Sequence, residues 1–371
     1  MKMRLLFIVF FFITHSVSAN TISVQTLNIY SPFYVGNKED RKNSLFQFLK
    51  NESSDINFFQ EVWFESDYQQ LEKISQSIGL SSIYHTASFK YKKQSGLMTA
   101  VKGNVYKTEF YFFPQGNSWI DSVYNFFNIN KGFGVTYATL PQTSNTPFIA
   151  VNVHLHHLSQ ETRLLQLLSY LKWFLNESIL SRPVIFAGDF NFEPSSLEFE
   201  MIQHIFRFKE PQSHLNFPYK CTVCKENEYF IGHTISKILQ ISYERTIDYI
   251  FFRSSPSTHL TPKNFVVFPK KYNGNFLSDH YGVKAEIKFE PYSKRQEISW
   301  SELENRIKLF LETLDKVQYQ LSKNSSPLDD IPLSEYYRKT TAQINVEQFL
   351  NSLRNRLRNE DSLLIQHLSQ N

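Results

Sequence analysis

Pro183-Val184-Ile185-Phe186-Ala187-Gly188-Asp189-Phe190-Asn191 decides the fold. Val184 to Ala187 is a short apolar run with no polar face, so a strand built from it must be covered on both sides, as strands of α/β layers are. Polar groups arrive only where the run stops. Gly188 lets the chain leave the sheet sharply. Asp189 and Asn191 are two apart and share a face if extended geometry persists, which aims one acceptor and one donor at the same phosphate. An Asx turn closing the strand is the competing reading of the same residues.

Working outward, the pattern repeats from 20 to 290. Apolar runs at 21–28, 55–60, 146–154, 183–188, 246–252 and 282–289 read as strands. Stretches at 42–50, 68–78 and 160–176 read as helices between them, with Gly79 stopping the second. Each strand closes on a polar signature: Thr26-Leu27-Asn28, Gln60-Glu61, His154-Leu155-His156, Gly188-Asp189-Phe190-Asn191, Ile247-Asp248-Tyr249 and Ser278-Asp279-His280. Core packing does not ask for acids, amides and imidazoles at strand ends.

The flanking segments read differently. Lys2 and Arg4 precede an apolar run at 5–13, and Val17-Ser18-Ala19 offers small residues for cleavage, so 1–19 reads as an export signal. Nine apolar residues are too few to span a bilayer, which takes about 20. The expected destination is secreted or periplasmic. Beyond 290, Trp300, Leu303, Ile307, Phe310, Leu314, Val317 and Leu321 step by 3 and 4, and Ser301 with Glu304 suggests a capping box. Val346, Leu350, Leu353, Leu357 and Leu364 form a second run, interrupted by Glu360, after a linker with Pro327 and Pro332. Residues 291–371 are therefore expected to be a helical extension, a hairpin lying on the catalytic domain or a seam for a dimer or partner.

Net charge and cysteines narrow the class. The formal charge is +4, and loss of Lys2 and Arg4 takes it to +2. Without a Lys/Arg block, an avid nonspecific nucleic-acid binder is disfavoured. Cys221 and Cys224 are the two cysteines, and in an exported chain they are expected to close a local disulfide. Asn51, Asn176 and Asn324 head Asn-x-Ser triplets.

The polar signatures suit metal-assisted phosphoester cleavage. Mg2+ takes oxygen ligands and needs one or two carboxylates beside a substrate phosphate. Glu61 is the main candidate ligand, and Asn28 could add an amide oxygen or orient it. His280 is a candidate general base, with Asp248 as the carboxylate that fixes its tautomer. His154 could stabilise phosphoryl oxygens or protonate the leaving oxygen. His156 and His157 beside it raise zinc, but the other donors are oxygens suited to a harder ion.

With these residues in hand, the chain resembles the endonuclease/exonuclease/phosphatase superfamily across 21–290. Asn28, Glu61, His154, Asp189, Asn191, Asp248, Asp279 and His280 match its motifs in order. The resemblance implies a four-layer α/β sandwich, two central sheets with helices outside. It also implies hydrolysis by an in-line water with Mg2+, or Mn2+ or Co2+ in its place. Within the superfamily the chain is most similar to secreted neutral sphingomyelinases, through Asn130-Lys131-Gly132-Phe133, through Val153-His154-Leu155 with Arg163 and Gln166, and through Pro194 after the Gly188 signature. That likeness implies that His154 assists the leaving group while His280 activates water, giving ceramide and phosphocholine from sphingomyelin. The segment 207–245 shows no assignable pattern.

A phospholipid at a membrane surface is thus the expected partner, and Tyr111, Phe112, Phe113, Trp119, Tyr124, Phe126 and Phe127 could form a bilayer-seeking loop or ordinary core. A secreted nuclease and an inositol-lipid phosphatase are the alternatives on this fold. A catalytically dead binding module should lack one of Glu61, Asp189 or His280, and all three are present.

Overall fold

The computed structural model describes residues 20–30, 38–88, 93–113, 131–157, 159–231, 244–268, 271–292, 298–323, 346–359 and 362–369. The export-signal reading, the aromatics from Trp119 to Phe127, the Pro327–Pro332 linker and Asn324 lie outside them.

Eleven described strands form two sheets. In chain order they are β1 (Thr21–Asn28), β2 (Ile56–Gln60), β3 (Ser81–Ser88), β4 (Lys93–Val101), β5 (Asn104–Phe112), β6 (Gly132–Thr139), β7 (Phe148–His154), β8 (Val184–Asp189), β9 (Asp248–Arg253), β10 (Thr258–Phe268) and β11 (Gly282–Pro291). The first sheet runs β10-β11-β1-β2-β4-β3 and the second β5-β6-β7-β8-β9. Each sheet holds one parallel pair, β1 with β2 and β7 with β8, and its other pairings are antiparallel. A parallel pair needs a crossover. Helix α1 (Lys38–Glu52) supplies the first and α3 (Gln160–Phe174) the second, while α2 (Glu65–Ser77) follows β2.

Strand alternation sorts the side chains into layers. Val24, Ile56, Ala150, Ile185, Ala187, Ile250, Val283 and Ala285 form the core between the sheets. Leu27, Phe59 and Met98 face the other way, against Leu45, Phe48 and Leu49 of α1 and Leu71 of α2. Val151, Phe186 and Phe251 face outward from the second sheet, against Leu164, Leu167 and Leu171 of α3. This is a four-layer α/β sandwich. Thr26, Gln60 and Asn152 continue the inner faces as polar groups. Gln60 Nε2 donates to Asn152 Oδ1 at 2.8 Å and to Thr26 Oγ1 at 3.0 Å, so the sheets are pinned together by satisfied buried amides.

The C-terminal helices belong to the outer core of the second sheet. Helix α4 (Trp300–Lys323) is followed by α5 (Val346–Arg358) and α6 (Ser362–Ser369), so the second leucine run is two helices rather than one. Phe310, Leu314, Val317, Leu350, Leu353, Leu364 and Leu368 are buried in one cluster with Phe174, Ile202 and Phe206. Trp300, expected in that seam, is 85% exposed. The cap of α4 sits earlier than the Ser301–Glu304 box: Ser299 Oγ accepts from Glu302 N at 3.2 Å.

Strands β3, β4, β5, β6 and β10 are absent from the apolar runs read in the sequence. Along β5 the residues are largely exposed or half-buried, which leaves no apolar alternation to read. Pro262 argues against a strand, yet β10 is an edge strand whose register breaks between Pro262 and Asn264, where the missing N–H costs no ladder bond. Tyr111 and Phe112 end β5, and Phe113 is buried against Phe133, so the described part of the aromatic stretch is core.

Candidate active site

The topology collects the strand-end signatures at one edge of the sandwich. The parallel pairs end there, and their antiparallel neighbours begin there. Asn28 pairs with Gln60 across β1 and β2. His154, Asp189 and Asp248 are aligned across β7, β8 and β9. Each lies an even number of residues from inner-core positions such as Ala150, Ala187 and Ile250, so all three point between the sheets. The polar edge is the mouth of the central core.

Gly188 is required by close approach rather than by an exit from the sheet, since β8 continues through Asp189. Its φ is +149°, and a Cβ there would lie 2.0 Å from the Val153 carbonyl oxygen. The residues beyond the strand ends bend abruptly. Glu61 has φ 58° and Asn191 φ 54°, left-handed values that cost a glutamate more than an asparagine. Asn191 N donates to Asp189 Oδ1 at 3.0 Å, so the Asx turn forms and extended geometry does not persist. The Asn191 side chain donates to Leu155 O at 3.1 Å.

Six of the eight residues picked from sequence are linked by short contacts. Asn28 Nδ2 donates to Glu61 Oε1 at 3.2 Å and to Asp189 Oδ2 at 3.1 Å. Its Oδ1 accepts from Tyr30 N at 3.0 Å, which is the geometry of a residue orienting carboxylates. His154 Nε2 lies 3.4 Å and His280 Nε2 4.0 Å from Asp189 Oδ2. His280 Nδ1 bonds Asp248 Oδ2 at 2.8 Å. Asn191 joins through its turn with Asp189. Asp279 joins through its charge: its Oδ1 accepts from Ser278 Oγ at 3.1 Å, and its charge bears on both Glu61 and His280.

The electrostatics follow from burial. Burial first, then the charge of Asp279, pushes the Glu61 carboxyl up to about 7, against the Asn28 hydrogen bond. Burial raises Asp189 to about 6, with His280 pulling it back and Asp248 adding to the rise. For His280, burial alone favours the neutral ring, but Asp248, Asp279 and Asp189 together outweigh it and hold it at about 10. Burial, then Lys131 and His280, drive His154 well below the usual imidazole range.

The donor set fits a divalent cation. Glu61, Asp189, Asp248 and Asp279 bring carboxylates to one mouth, and burial pushes Glu61 and Asp189 toward their neutral forms. The charge of Arg41 reaches Asp279 and Glu61, but its guanidinium hydrogen bonds go to the carbonyls of Ile29, Leu277 and Tyr30 at 2.7–2.8 Å. Oxygen donors suit a hard ion. Among the described residues, Asp189, Asp248 and His280 lie close enough together to share an ion. Cys221, Cys224 and Glu226 do also, but those cysteines form a disulfide. His156 is turned into the fold, its Nδ1 accepting from Ser159 N at 3.0 Å.

Lys131, Arg163 and Gln166, named from sequence only through the resemblance and without a role, surround the site. Lys131, buried, donates to Leu155 O at 2.6 Å and sets a cation beside His154. Gln166 Oε1 accepts from His156 N at 2.9 Å and Arg163 Nη1 donates to His156 O at 3.1 Å, so both hold the segment after His154. Arg163 is in turn paired with buried Glu198 at 2.8 Å. Glu198 has no sequence signal, since its partner is 35 residues away.

Comparisons with known proteins agree with this architecture. The chain covers 99% of D. rerio TDP2, solved with a single-strand DNA product, using 72% of its own length at 19% identity and TM-score 0.56. It covers 99% of sphingomyelinase C from Streptomyces griseocarneus, with 72% of its own length, 16% identity and TM-score 0.52. It covers 96% of the human Nocturnin catalytic domain with bound sulfate, with 73% of its own length, 15% identity and TM-score 0.52. A sequence comparison with curated proteins finds no match. The model of the endonuclease/exonuclease/phosphatase family, whose members are metal-dependent hydrolases of phosphoester bonds, matches residues 26–280. With the two sheets and the strand-end cluster in place, this chain belongs to the endonuclease/exonuclease/phosphatase family.

Proposed function

We propose that the chain is an exported, Mg2+-dependent phosphodiesterase that cleaves sphingomyelin to ceramide and phosphocholine at a membrane surface. The observation that carries the hydrolytic reading is the 2.8 Å bond between His280 Nδ1 and Asp248 Oδ2, with His280 Nε2 turned toward Asp189 and His154. Asp248 fixes the tautomer, and a cation bound among the carboxylates would offset the negative charge that holds the ring protonated, leaving Nε2 to accept a proton from water. Asn28 holds Glu61 and Asp189 in place, and Glu61, with Asp279 near, would hold the cation. Bound there, a divalent ion would polarise a phosphoryl oxygen and offset developing charge. His154 stands across Asp189 from His280, where it can meet the leaving oxygen.

Support for sphingomyelin is the likeness of the Lys131 and His154 segments to secreted neutral sphingomyelinases, together with the fold shared with sphingomyelinase C. Support for export is the charged and apolar start of the chain and the Cys221–Cys224 disulfide, which is expected of oxidising compartments. A nuclease is the second reading, favoured by the fold shared with TDP2 bound to single-strand DNA product. Purified protein with Mg2+ should be incubated in parallel with sphingomyelin, phosphatidylcholine, phosphoinositide and plasmid DNA. Ceramide and phosphocholine are expected. DNA cleavage with untouched lipids would replace the lipid reading with the nuclease.

A further inference from the structure

The Asp248–His280 bond crosses the sandwich. Asp248 opens β9 in the second sheet, and His280 precedes β11 in the first. Among the described residues no strand ladder joins these two sheets, so strand pairing does not fix the distance between the two residues. The disulfide-closed turn Cys221–Cys224 does reach both sides.

Thr222 is fully buried within that turn. Its Oγ1 accepts from Ile247 N at 3.1 Å and from Asp248 N at 3.3 Å. Its own N donates to Arg245 O at 2.8 Å, and its carbonyl accepts from Tyr281 N at 2.7 Å, one residue beyond His280. Val223 and Arg245 exchange backbone bonds in both directions at 3.0 Å. On the other flank of His280, buried Asn227 donates from Nδ2 to Ser278 O at 2.8 Å. Asn227 N donates back to Cys224 O at 3.1 Å. One short segment thus grips the start of β9 and brackets His280 at positions 278 and 281.

We propose that Thr222, held in the disulfide-closed turn and seconded by Asn227, is a positioning residue that sets the Asp248–His280 bond across the two sheets. The inference rests on the reading of that pair as reaction machinery. The physical reason is that proton transfer depends steeply on placement, and a shift of about 1 Å can cost about 100-fold. The sequence gives no hint of this, because a Thr between two cysteines looks like loop filler.

The test uses the full chain with Mg2+ and bis(p-nitrophenyl) phosphate. Thr222→Val keeps the shape and removes the acceptor for two buried N–H groups. It should lower kcat about 10- to 100-fold with KM little changed. Thr222→Ser, which keeps the hydroxyl, should restore kcat to within about threefold, a rescue that follows from hydroxyl geometry. The His280 Nδ1 proton, observed by NMR, should move in Thr222→Val and return in Thr222→Ser. Wild-type kcat in Thr222→Val with an unmoved ring signal would overturn the inference. So would a loss that Thr222→Ser fails to restore. If Thr222→Val does not fold, Asn227→Ser, which releases the Ser278 carbonyl and the Tyr229 N–H but leaves the Thr222 bonds in place, must lower kcat and shift the same ring signal. An inactive wild type would count against the hydrolase reading, while the ring signal would still decide the role of Thr222.

Discussion

Asn28 Nδ2 and Asp189 Oδ2 are 3.1 Å apart although they end strands of different sheets, and the same amide reaches Glu61 Oε1 at 3.2 Å. One uncharged side chain therefore spaces two carboxylates that would otherwise repel each other in a poorly solvated mouth. A residue holding a metal ligand in orientation typically influences metal affinity 10- to 100-fold.

Asn28→Ala is accordingly expected to weaken Mg2+ binding by about that factor, and Glu61→Gln to weaken it further. Calorimetric titration with Mg2+ measures both. Unchanged affinity in Glu61→Gln would remove Glu61 from the metal site.

The shifted carboxyls make metal binding pH-dependent. Glu61 at about 7 and Asp189 at about 6 hold protons that a cation must displace. Below pH 7, then below pH 6, apparent Mg2+ affinity should fall as pH falls, by about tenfold per unit for each proton displaced. Titrations at pH 8, 7 and 6 in buffers of different ionisation enthalpy count those protons. Affinity constant across this range with no proton release contradicts the reading.

His280→Ala should abolish phosphoester turnover with an unchanged melting curve, a loss of about 10²–10⁴-fold for removal of a positioned proton acceptor. Asp248→Asn should lower kcat in the same direction, because an amide no longer fixes the imidazole tautomer. Full activity in His280→Ala would remove it from the mechanism.

The site was readable where chemistry and strand periodicity coincide. His154 and Asp189 close apolar runs, whereas Asp248 opens β9 rather than ending a strand as its signature suggests, and their even spacing from the inner core sends all three to one mouth. Asn191 shows the limit of that reasoning: residue type pointed to the site, but the chain turns left-handed there and its side chain bonds Leu155. Of the missed strands, β5 lacks an apolar face and β10 has a proline at a bulged edge, whereas β6 is buried along nearly its whole length but broken in sequence by Gly134 and Thr136. Thr222, Glu198 and Arg41 act through partners remote in sequence, and one chain carries no local mark of such pairings. The helices beyond 290 were legible as helices, but the sheet they cover was not, since a heptad-like seam does not name its partner.

Stability should also depend on pH through His367. Its ring is fully buried against Phe174, its Nε2 lies 2.7 Å from Ile205 O, and burial pushes its pKa down to about 3. The unfolded chain titrates near 6.5. Between these values the unfolded state binds the extra proton, so stability falls as pH falls from about 6.5 toward about 3, by about 1.4 kcal/mol per unit. His367→Gln keeps an N–H donor without a titrating ring. Its unfolding free energy in urea should change less between pH 6 and pH 5 than that of the wild type. Equal slopes would show that His367 does not contribute.

The C-terminal helices make a separable prediction about architecture. If 291–371 were an independent extension or a dimer seam, the leucines of α4, α5 and α6 would face solvent or a second chain. They face inward: Leu314, Val317, Leu350, Leu364 and Leu368 are fully buried in the cluster that contains Phe174, Phe186 and Phe206. Leu314→Ala should therefore destabilise the whole molecule by about 2–5 kcal/mol. Trp300→Ala, at a side chain 85% exposed, should stay within about 0.5 kcal/mol of wild type. Removal of 346–371 uncovers part of that apolar face and should abolish cooperative folding of the catalytic sheets, read as loss of a sharp calorimetric transition. A truncated chain that melts sharply near the wild-type temperature would show that the sheets close their core without these helices.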